Sequence, residues 1–263
     1  TFKMLEVLTC RLCHHVFSQS MEDVQWAVSH RKIRPERIEW LGNGIDLGLF
    51  DPGRFGQADR RSTREELAIP ADAFVVGIVA RMVSEKGLRE LFEAIRRLAG
   101  RYADVHLLHI GFIDASRGDE IGPDWADRLG IADRCRFAGQ RNDIPRLLAA
   151  MDIYCLPSYR EGYPRSVMEA NAMGLPAIVT DIRGCREAVV EGVNGLLVPP
   201  RRVEPLVEAI ARLHDDSGLR TQLSRGALAR TREAFDERRV VNTLLARYER
   251  LLAGSDEGRA GIR

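Results

Sequence analysis

The sequence has 263 residues, of which 45% are hydrophobic and 29% are charged. These proportions are typical of a globular protein with one large domain or two small ones. Lys and Arg (39) nearly balance Asp and Glu (38), and the formal net charge of +1 argues against a nucleic-acid partner. No apolar run approaches the roughly 18 residues of a membrane-spanning helix, and we predict a cytoplasmic protein.

The first 40 residues differ in pattern from the remainder. Val16–Ser18 is predicted to be a strand, Met21–His30 a helix, and Ile38–Leu41 the strand that opens the main domain. The chain begins with Thr1 and enters an apolar segment at once. We therefore expect residues 1–40 to be the tail end of an N-terminal domain.

From Phe74 onward, apolar runs of strand length alternate with segments of helical periodicity. Runs that are apolar throughout are typical of parallel strands buried on both faces. The predicted strands are Phe74–Ala80, Val105–Ile110, Cys135–Ala138, Ile153–Leu156, Ala177–Thr180 and Leu196–Val198. The predicted helices are Leu88–Leu98, Asp124–Leu129, Ile144–Ala150, Ser166–Met173 and the region Val203–Leu252, which has breaks near Asp215–Gly218 and Ala234–Asp236.

This alternation predicts a doubly wound α/β domain with a parallel sheet and right-handed crossovers. We expect this main domain over residues 41–236 and a C-terminal helix over residues 237–253. The polar, Gly-rich residues 254–263 are predicted to form a disordered tail.

The five cysteines are scattered along the chain, which favours reduced thiols over a disulfide framework. Cys10, Cys13 and His14 fit a haem-attachment pattern, and with His15 they also suggest zinc. No second pair of ligands follows, and Val16–Ser18 continues as a buried strand. We therefore expect neither haem nor a metal site.

Two cations follow the first strand of the predicted sheet. Arg81 comes directly after Ala80, and Lys86 stands immediately before Gly87 and the next helix. In open α/β sheets, ligands bind beyond the carboxyl ends of the strands. Two cations beside a helix N-terminus suit a diphosphate, although a charged surface turn is the commoner explanation for such a pair.

Two glutamates flank the start of the helix after Ile153–Leu156. Glu161 lies in the loop, where Gly162 allows the backbone to approach a ligand, and Glu169 lies in the early turns of the helix. A carboxylate there can accept hydrogen bonds from ribose hydroxyls. The alternative is that Glu169 complements the helix dipole and Glu161 is a solvated loop charge.

These residues also lie in a series of ordered motifs. They are Asn43-Gly44-Ile45-Asp46, Gly77–Arg81 with Lys86-Gly87, the Glu161-x7-Glu169 stretch running into Ala170–Pro176, Gly184–Glu187, and Glu191–Pro199. Over residues 16–248 the chain resembles the family 4 (group 1) retaining glycosyltransferases of the GT-B fold. The resemblance identifies the main domain as the C-terminal, donor-binding Rossmann-like half of that fold.

The resemblance implies a role for each residue of the predicted site. Arg81 and Lys86 would hold the donor diphosphate, and Glu161 would contact the transferred sugar. Glu169 would bind the ribose. The free backbone N–H groups of Ser166 and Val167 would contact phosphate, while Gly162 gives the ligand access and Gly139, Gln140 and Arg141 would hold the base.

The resemblance also implies a metal-independent hexosyltransferase without a cofactor. It would transfer a hexose or N-acetylhexosamine, with a UDP-sugar favoured, to a glycan or lipid-linked acceptor with retention. The acceptor site would lie in the N-terminal domain, together with any peripheral contact with the cytoplasmic face of the membrane. We therefore expect this chain alone to bind the donor without transferring the sugar. A non-catalytic nucleotide-sugar-binding subunit and a nucleotide-sugar 2-epimerase-like enzyme remain as alternatives.

Overall fold

A computed structural model describes residues 8–10, 12–113, 118 and 121–260. The chain divides into two compact units. The smaller consists of Thr1–Asp46 together with Ala234–Arg263, and the larger is Leu47–Glu233.

In the smaller unit, a short parallel sheet is formed by β1 (Val16–Ser18) and β2 (Ile38–Trp40), with α1 (Met21–Ser29) between them in sequence. The hydroxyl of Ser20 caps α1 by accepting a hydrogen bond from the Asp23 amide at 3.1 Å. The prediction that Ile38–Leu41 opens the main domain is wrong, because β2 pairs with β1 in a sheet of its own. β2 has only three residues and Trp40 is exposed, whereas most strands of the main sheet are longer and almost entirely buried.

The larger unit is built on a six-stranded parallel sheet with the order β5-β4-β3-β6-β7-β8. Its strands are β3 (Phe74–Val79), β4 (Val105–Ile110), β5 (Cys135–Phe137), β6 (Ile153–Leu156), β7 (Ala177–Thr180) and β8 (Gly195–Val198). The chain moves outward from β3 to β5, crosses back to β6, and then moves outward on the other side. This is the doubly wound topology that the sequence predicts, and its switch point lies between β3 and β6.

Helices connect these strands and continue beyond the last of them. They are α2 (Gln57–Glu66), α3 (Leu88–Ala99), α4 (Asp124–Arg128), α5 (Ile144–Ala149), α6 (Arg165–Ala172), α7 (Cys185–Ala188), α8 (Val203–Asp215) and α9 (Ser217–Ala234). α3 buries the predicted apolar face, which consists of Leu88, Leu91, Phe92, Ile95 and Leu98. The predicted breaks in the C-terminal helical region are confirmed by the ends of α8 and α9.

α2 has no counterpart among the predicted elements. Its sequence, QADRRSTREE, contains no apolar stripe, and the side chains that it buries are those of Thr63 and Arg64. Arg64 is 3% exposed and donates hydrogen bonds to the carbonyl groups of Ala71, Ala73 and Ala150. A buried guanidinium that makes several hydrogen bonds thus holds in place a helix that no hydrophobic pattern predicts.

The last helix, α10, spans Glu237–Ala260 and belongs to the smaller unit. Its backbone is helical over residues 254–260, so the predicted disordered tail is wrong for these residues. The two glycines of that segment weaken a helix, but no proline interrupts it. Leu245 and Tyr248 on α10 are about half exposed. Among the helices that the structure describes, none is long and apolar enough to cross a bilayer.

Candidate functional site

The loops after β3 and β6 meet at the switch point of the large sheet. The loop after β3 carries Arg81 and a short 3-10 turn over Ser84–Lys86, and the loop after β6 carries Ser158 and Glu161. The carboxyl ends of two neighbouring strands that lead away in opposite directions leave a crevice between their loops. The sequence prediction of a site at this edge therefore has its geometric basis here.

Lys86 and Glu161 form an ion pair across this crevice. The Lys86 Nζ lies 2.7 Å from the Glu161 Oε1, and the two side chains are 17% and 11% exposed. The hydroxyl of Ser158, which is fully buried, donates to the same Oε1 at 2.6 Å. Among the described residues, no hydrogen bond is made to the other carboxylate oxygen, Oε2, which is therefore available to a ligand hydroxyl.

A second layer of buried groups holds this pair in place. The Thr180 hydroxyl, at the end of β7, donates to the Ser158 carbonyl. The phenol of Tyr154 is fully buried and lies 3.2 Å from the backbone of Val79, which joins β6 to β3 at the switch point. Cys185 is buried close to Glu161, and burial raises the pKa of its thiol to about 12. This layer is not among the sequence predictions, although its signal is the presence of polar residues inside apolar runs.

Arg81 is the more exposed of the two predicted cations. One of its guanidinium nitrogens, Nη2, lies 3.7 Å from the Glu85 Oε1, and its side chain is 40% exposed. The structure thus brings Lys86 and Glu161 into direct contact and leaves Arg81 at the rim of the same loop. A rim cation can turn towards a bound anion at little cost, because a surface ion pair is weak.

Glu169 lies in α6 and pairs with Arg165, one turn earlier in that helix. The Arg165 Nε donates to the Glu169 Oε1 at 3.0 Å. Burial raises the pKa of the Glu169 carboxyl, and Arg165 partly offsets that rise. Glu169 contacts a different cation from Glu161, so the two predicted glutamates occupy separate parts of the site.

The start of α6 differs in one respect from the prediction. The Val167 amide, expected to be free for a phosphate, donates to the Pro164 carbonyl at 3.1 Å. That prediction is wrong because the first turn of α6 already closes on Pro164. No described group accepts a hydrogen bond from the Ser166 amide, which keeps its predicted availability.

Two glycines shape the loops around the pair. Gly87 has a φ of +69°, and a β-carbon there would lie 2.0 Å from the Pro157 carbonyl oxygen. Gly184 has a φ of +85°, and a β-carbon there would lie 2.2 Å from the Gly162 carbonyl oxygen. The backbone contacts of both loops therefore depend on residues without side chains. Gly162 itself faces open space, as a ligand-facing position requires.

The three residues predicted at the base follow β5, two strands away from β3. Gly139 has a φ of +66° and faces open space, and Gln140 is exposed. Arg141 donates to Asp143 at 2.7 Å and to Glu66 at 3.0 Å. Its guanidinium is thus held by two carboxylates, and any contact with a base would have to compete with them.

The five cysteines, all of which the structure describes, are not joined to one another in disulfide bonds. Within the described part of the chain, no three His, Cys, Asp or Glu side chains lie together in a way that could hold a metal ion.

A sequence model of the family described as "Glycosyl transferases group 1" matches residues 59–230. The D-inositol 3-phosphate glycosyltransferase of Corynebacterium glutamicum is 32% identical over 219 residues, covering 81% of this chain and 52% of that protein. The UDP-Gal:alpha-D-GlcNAc-diphosphoundecaprenol alpha-1,3-galactosyltransferase of Escherichia coli is 26% identical, covering 83% of this chain and 56% of that protein. The chain thus spans about half the length of these curated relatives.

The fold is also similar to that of solved structures. Anabaena Alr3699/HepE, solved in complex with UDP, aligns with a TM-score of 0.81 and 28% identity over 94% of this chain and 65% of that one. The same protein in complex with UDP-glucose aligns with a TM-score of 0.79 and 25% identity, over 94% of this chain and 70% of that one.

Proposed function

The chain belongs to the group 1 glycosyl transferases, and we propose that its larger unit binds a nucleotide-sugar donor, with a UDP-sugar favoured. The observation that carries this proposal is the Lys86–Glu161 pair at the switch point, with one carboxylate oxygen left for a ligand. UDP appears with the similar Anabaena protein, and UDP-Gal in the name of the Escherichia coli relative. The proposed acceptor is a glycan or a lipid-linked sugar.

In this proposal, Lys86 and Arg81 bind the diphosphate of the donor. The bond between the anomeric carbon and the diphosphate oxygen breaks, and its electron pair stays on the nucleotide. The acceptor oxygen forms the new bond, and its proton passes to the departing diphosphate or to solvent. Negative charge therefore grows on the diphosphate during the reaction. Lys86, which its ion pair with Glu161 holds in place before the reaction, would stabilise such charge with little reorganisation, and Arg81 would turn towards it from the rim.

The two glutamates would contact different parts of the donor, Glu161 the sugar and Glu169 the ribose. Glu161 is held on one oxygen by Lys86 and Ser158, and its Oε2 would accept a hydrogen bond from a sugar hydroxyl. Glu169 would accept hydrogen bonds from the ribose hydroxyls, for which it would release Arg165. The Ser166 amide, at the start of α6, would donate to a phosphate oxygen.

We further propose transfer of a hexose or N-acetylhexosamine with retention, without a metal ion, and in the cytoplasm or at the cytoplasmic face of a membrane. Lys86 and Arg81 supply the positive charge that a divalent cation provides in other transferases. These points follow from the family resemblance and from the two cations beside the crevice.

Ligand-observed NMR with UDP-, GDP- and ADP-sugars tests the donor. We expect saturation transfer to the uracil and sugar protons of UDP-glucose or UDP-N-acetylglucosamine, and calorimetry should give a matching affinity. Binding of a GDP- or ADP-sugar alone would correct the base. An absence of binding for all three would contradict the proposed function.

Replacing Ser158 with Ala should weaken the binding of a UDP-sugar about three- to tenfold while leaving the affinity for UDP within about twofold. The lost hydrogen bond is one to a charged group, and it orients the carboxylate that contacts the sugar. The affinities are measured by calorimetry for both ligands. An equal loss for UDP and the UDP-sugar would instead indicate a general disturbance of the loop.

A double-mutant cycle tests whether Ser158 acts by orienting the Glu161 carboxylate or only by packing in the loop. Once Glu161 is replaced by Gln, the further change Ser158→Ala should have little additional effect on UDP-sugar binding, because the two residues act as one unit. Fully additive effects would contradict the assigned role of Ser158.

A further inference from the structure

A cavity of about 570 Å³ in the larger unit is lined by arginines from three separate segments of the chain. Arg89 comes from the first turn of α3, Arg160 from the loop after β6, and Arg201 from the loop after β8. The remaining lining residues are Ser84, Glu85 and Tyr159. The Tyr159 amide donates to the Glu85 carbonyl at 2.8 Å, which fixes two of these loops to each other.

Arg201 is held over an aromatic ring. Its guanidinium carbon lies 4.4 Å from the centroid of Tyr159, whose hydroxyl donates to Glu90 at 2.7 Å. The Tyr159 ring is thus held at its hydroxyl by Glu90 and packs on one face against the guanidinium of Arg201. Stacking fixes the plane of a guanidinium and leaves the N–H groups at its edge free to donate.

The backbone of Arg201 is in the left-handed region, with a φ of +60°. This conformation is unfavourable for a residue with a β-carbon, and the chain has glycine at most of its other left-handed positions. Strained residues persist where the position of the side chain matters, so an observed outlier of this kind is a reason to look for a ligand.

Arg89 is held in the same way by a different ring. Its guanidinium carbon lies 5.0 Å from the centroid of Trp125. Neither Arg89 nor Arg201 makes a hydrogen bond or an ion pair with any residue that the structure describes. Both cations line the cavity, and both are near enough to Tyr159 to oppose the rise in its pKa that burial and Glu90 cause.

The acidic side chains around the cavity already contact other cations or donors. Glu85 lies 3.7 Å from both Arg81 and Arg160, and Glu90 accepts the hydroxyl of Tyr159. The cavity therefore presents two exposed guanidinium groups, each oriented over an aromatic ring and without a carboxylate partner, together with the exposed Arg160. Guanidinium groups match the oxygens of a phosphoryl group in geometry and charge.

We propose that this cavity is a second anion site, which binds the phosphoryl group of a phosphate monoester through Arg89 and Arg201. It is separate from the Lys86–Glu161 pair and goes beyond the proposed donor function. Its residues come from the same end of the sheet, so a phosphorylated molecule bound there would lie next to the loops of the donor site.

The test uses inorganic phosphate and glucose 6-phosphate as probes. The guanidinium Nε–Hε signals of Arg89 and Arg201, assigned through Arg89→Gln and Arg201→Gln, should shift on titration of the full chain. Each substitution should weaken phosphate binding by about tenfold, the effect of losing a charged hydrogen bond. Arg202→Gln is the matched control, since Arg202 is exposed beside Arg201 and does not line the cavity.

Vesicles of phosphatidylcholine with and without phosphatidic acid distinguish a lipid headgroup from a soluble phosphate. Sedimentation with the acidic vesicles that is lost in Arg201→Gln and kept in Arg202→Gln assigns the phosphoryl group to a lipid. Equal losses in all the variants, or no shift of the two arginine signals with any probe, would overturn the proposal.

A parallel titration with UDP keeps the two sites apart. Saturating UDP should leave the affinity for phosphate unchanged, and Arg201→Gln should leave the affinity for UDP within about twofold. Displacement of phosphate by UDP would place the phosphate at the donor site and refute the second site. Failure of UDP itself to bind would count against the donor function alone.

Discussion

Lys86→Met should weaken the binding of UDP and UDP-sugars by roughly 10- to 100-fold. The substitution removes a cation from the proposed diphosphate site, and a hydrogen bond to a charged group contributes about 1.5–3 kcal/mol. It also leaves the Glu161 carboxylate, which is 11% exposed, with Ser158 as its remaining described partner. That carboxylate would then repel the diphosphate. Calorimetry with UDP and a UDP-sugar measures both affinities.

Lys86→Arg is the matched control for this prediction. It keeps the charge and should retain most of the affinity for UDP, although the planar guanidinium cannot reproduce the single contact to Glu161 in every detail. Wild-type affinity for UDP in Lys86→Met would refute the placement of the diphosphate beside Lys86. Urea unfolding of each variant shows whether the change is confined to binding.

Arg64→Met should lower the free energy of unfolding by roughly 2–4 kcal/mol, because it leaves buried carbonyl groups without a donor and removes a hydrogen bond to a charged group, although Asp152 keeps its pair with Arg60. Arg64 is 3% exposed, and its Nη2 donates to the Asp152 Oδ2 at 2.8 Å. Methionine has a similar length but cannot satisfy the carbonyl groups of Ala71, Ala73 and Ala150, which then lose a donor in a buried site. The measurement is urea unfolding followed by circular dichroism.

Arg61→Met is a control from the same helix. Arg61 is exposed, and its replacement should change the free energy of unfolding by less than about 0.5 kcal/mol, as surface substitutions usually do. A loss of under 1 kcal/mol in Arg64→Met would show that water or a rearrangement of Arg60 satisfies these groups instead.

The apolar strands of the large sheet could be predicted from the sequence almost to the residue. Val105–Ile110, Ile153–Leu156 and Ala177–Thr180 have the predicted bounds, because strands buried on both faces are mostly apolar, although the first of them also buries His106 and His109. The GT-B fold implied by the resemblance is confirmed by the likeness to the Anabaena structures. The alternation of strands and helices, together with the rule that ligands bind beyond the carboxyl ends of parallel strands, also predicts that Lys86 and Glu161 lie at the same edge of the sheet.

Other features depend on contacts that a periodicity cannot reveal. α2 has no apolar stripe, because the side chain that anchors it in the interior is the guanidinium of Arg64. A charged residue in a helix usually indicates a solvent-exposed face, so the sequence does not predict this burial. The Val167 amide was expected to be free, yet the exact turn at which a helix closes is fixed by local geometry. The carboxylates that hold Arg141 lie at Asp143 and, far away in sequence, at Glu66.

Lys86 and Glu161 are 75 positions apart in the chain, and they meet because β3 and β6 lie side by side. Neither half of the sheet contains the ion pair on its own. The crevice can therefore form only after the chain has closed a long loop around β4 and β5, a slow step compared with making local helices. A newly made chain would gain this crevice late, as the two halves join, and a ligand bound there would stabilise the contact between the two halves.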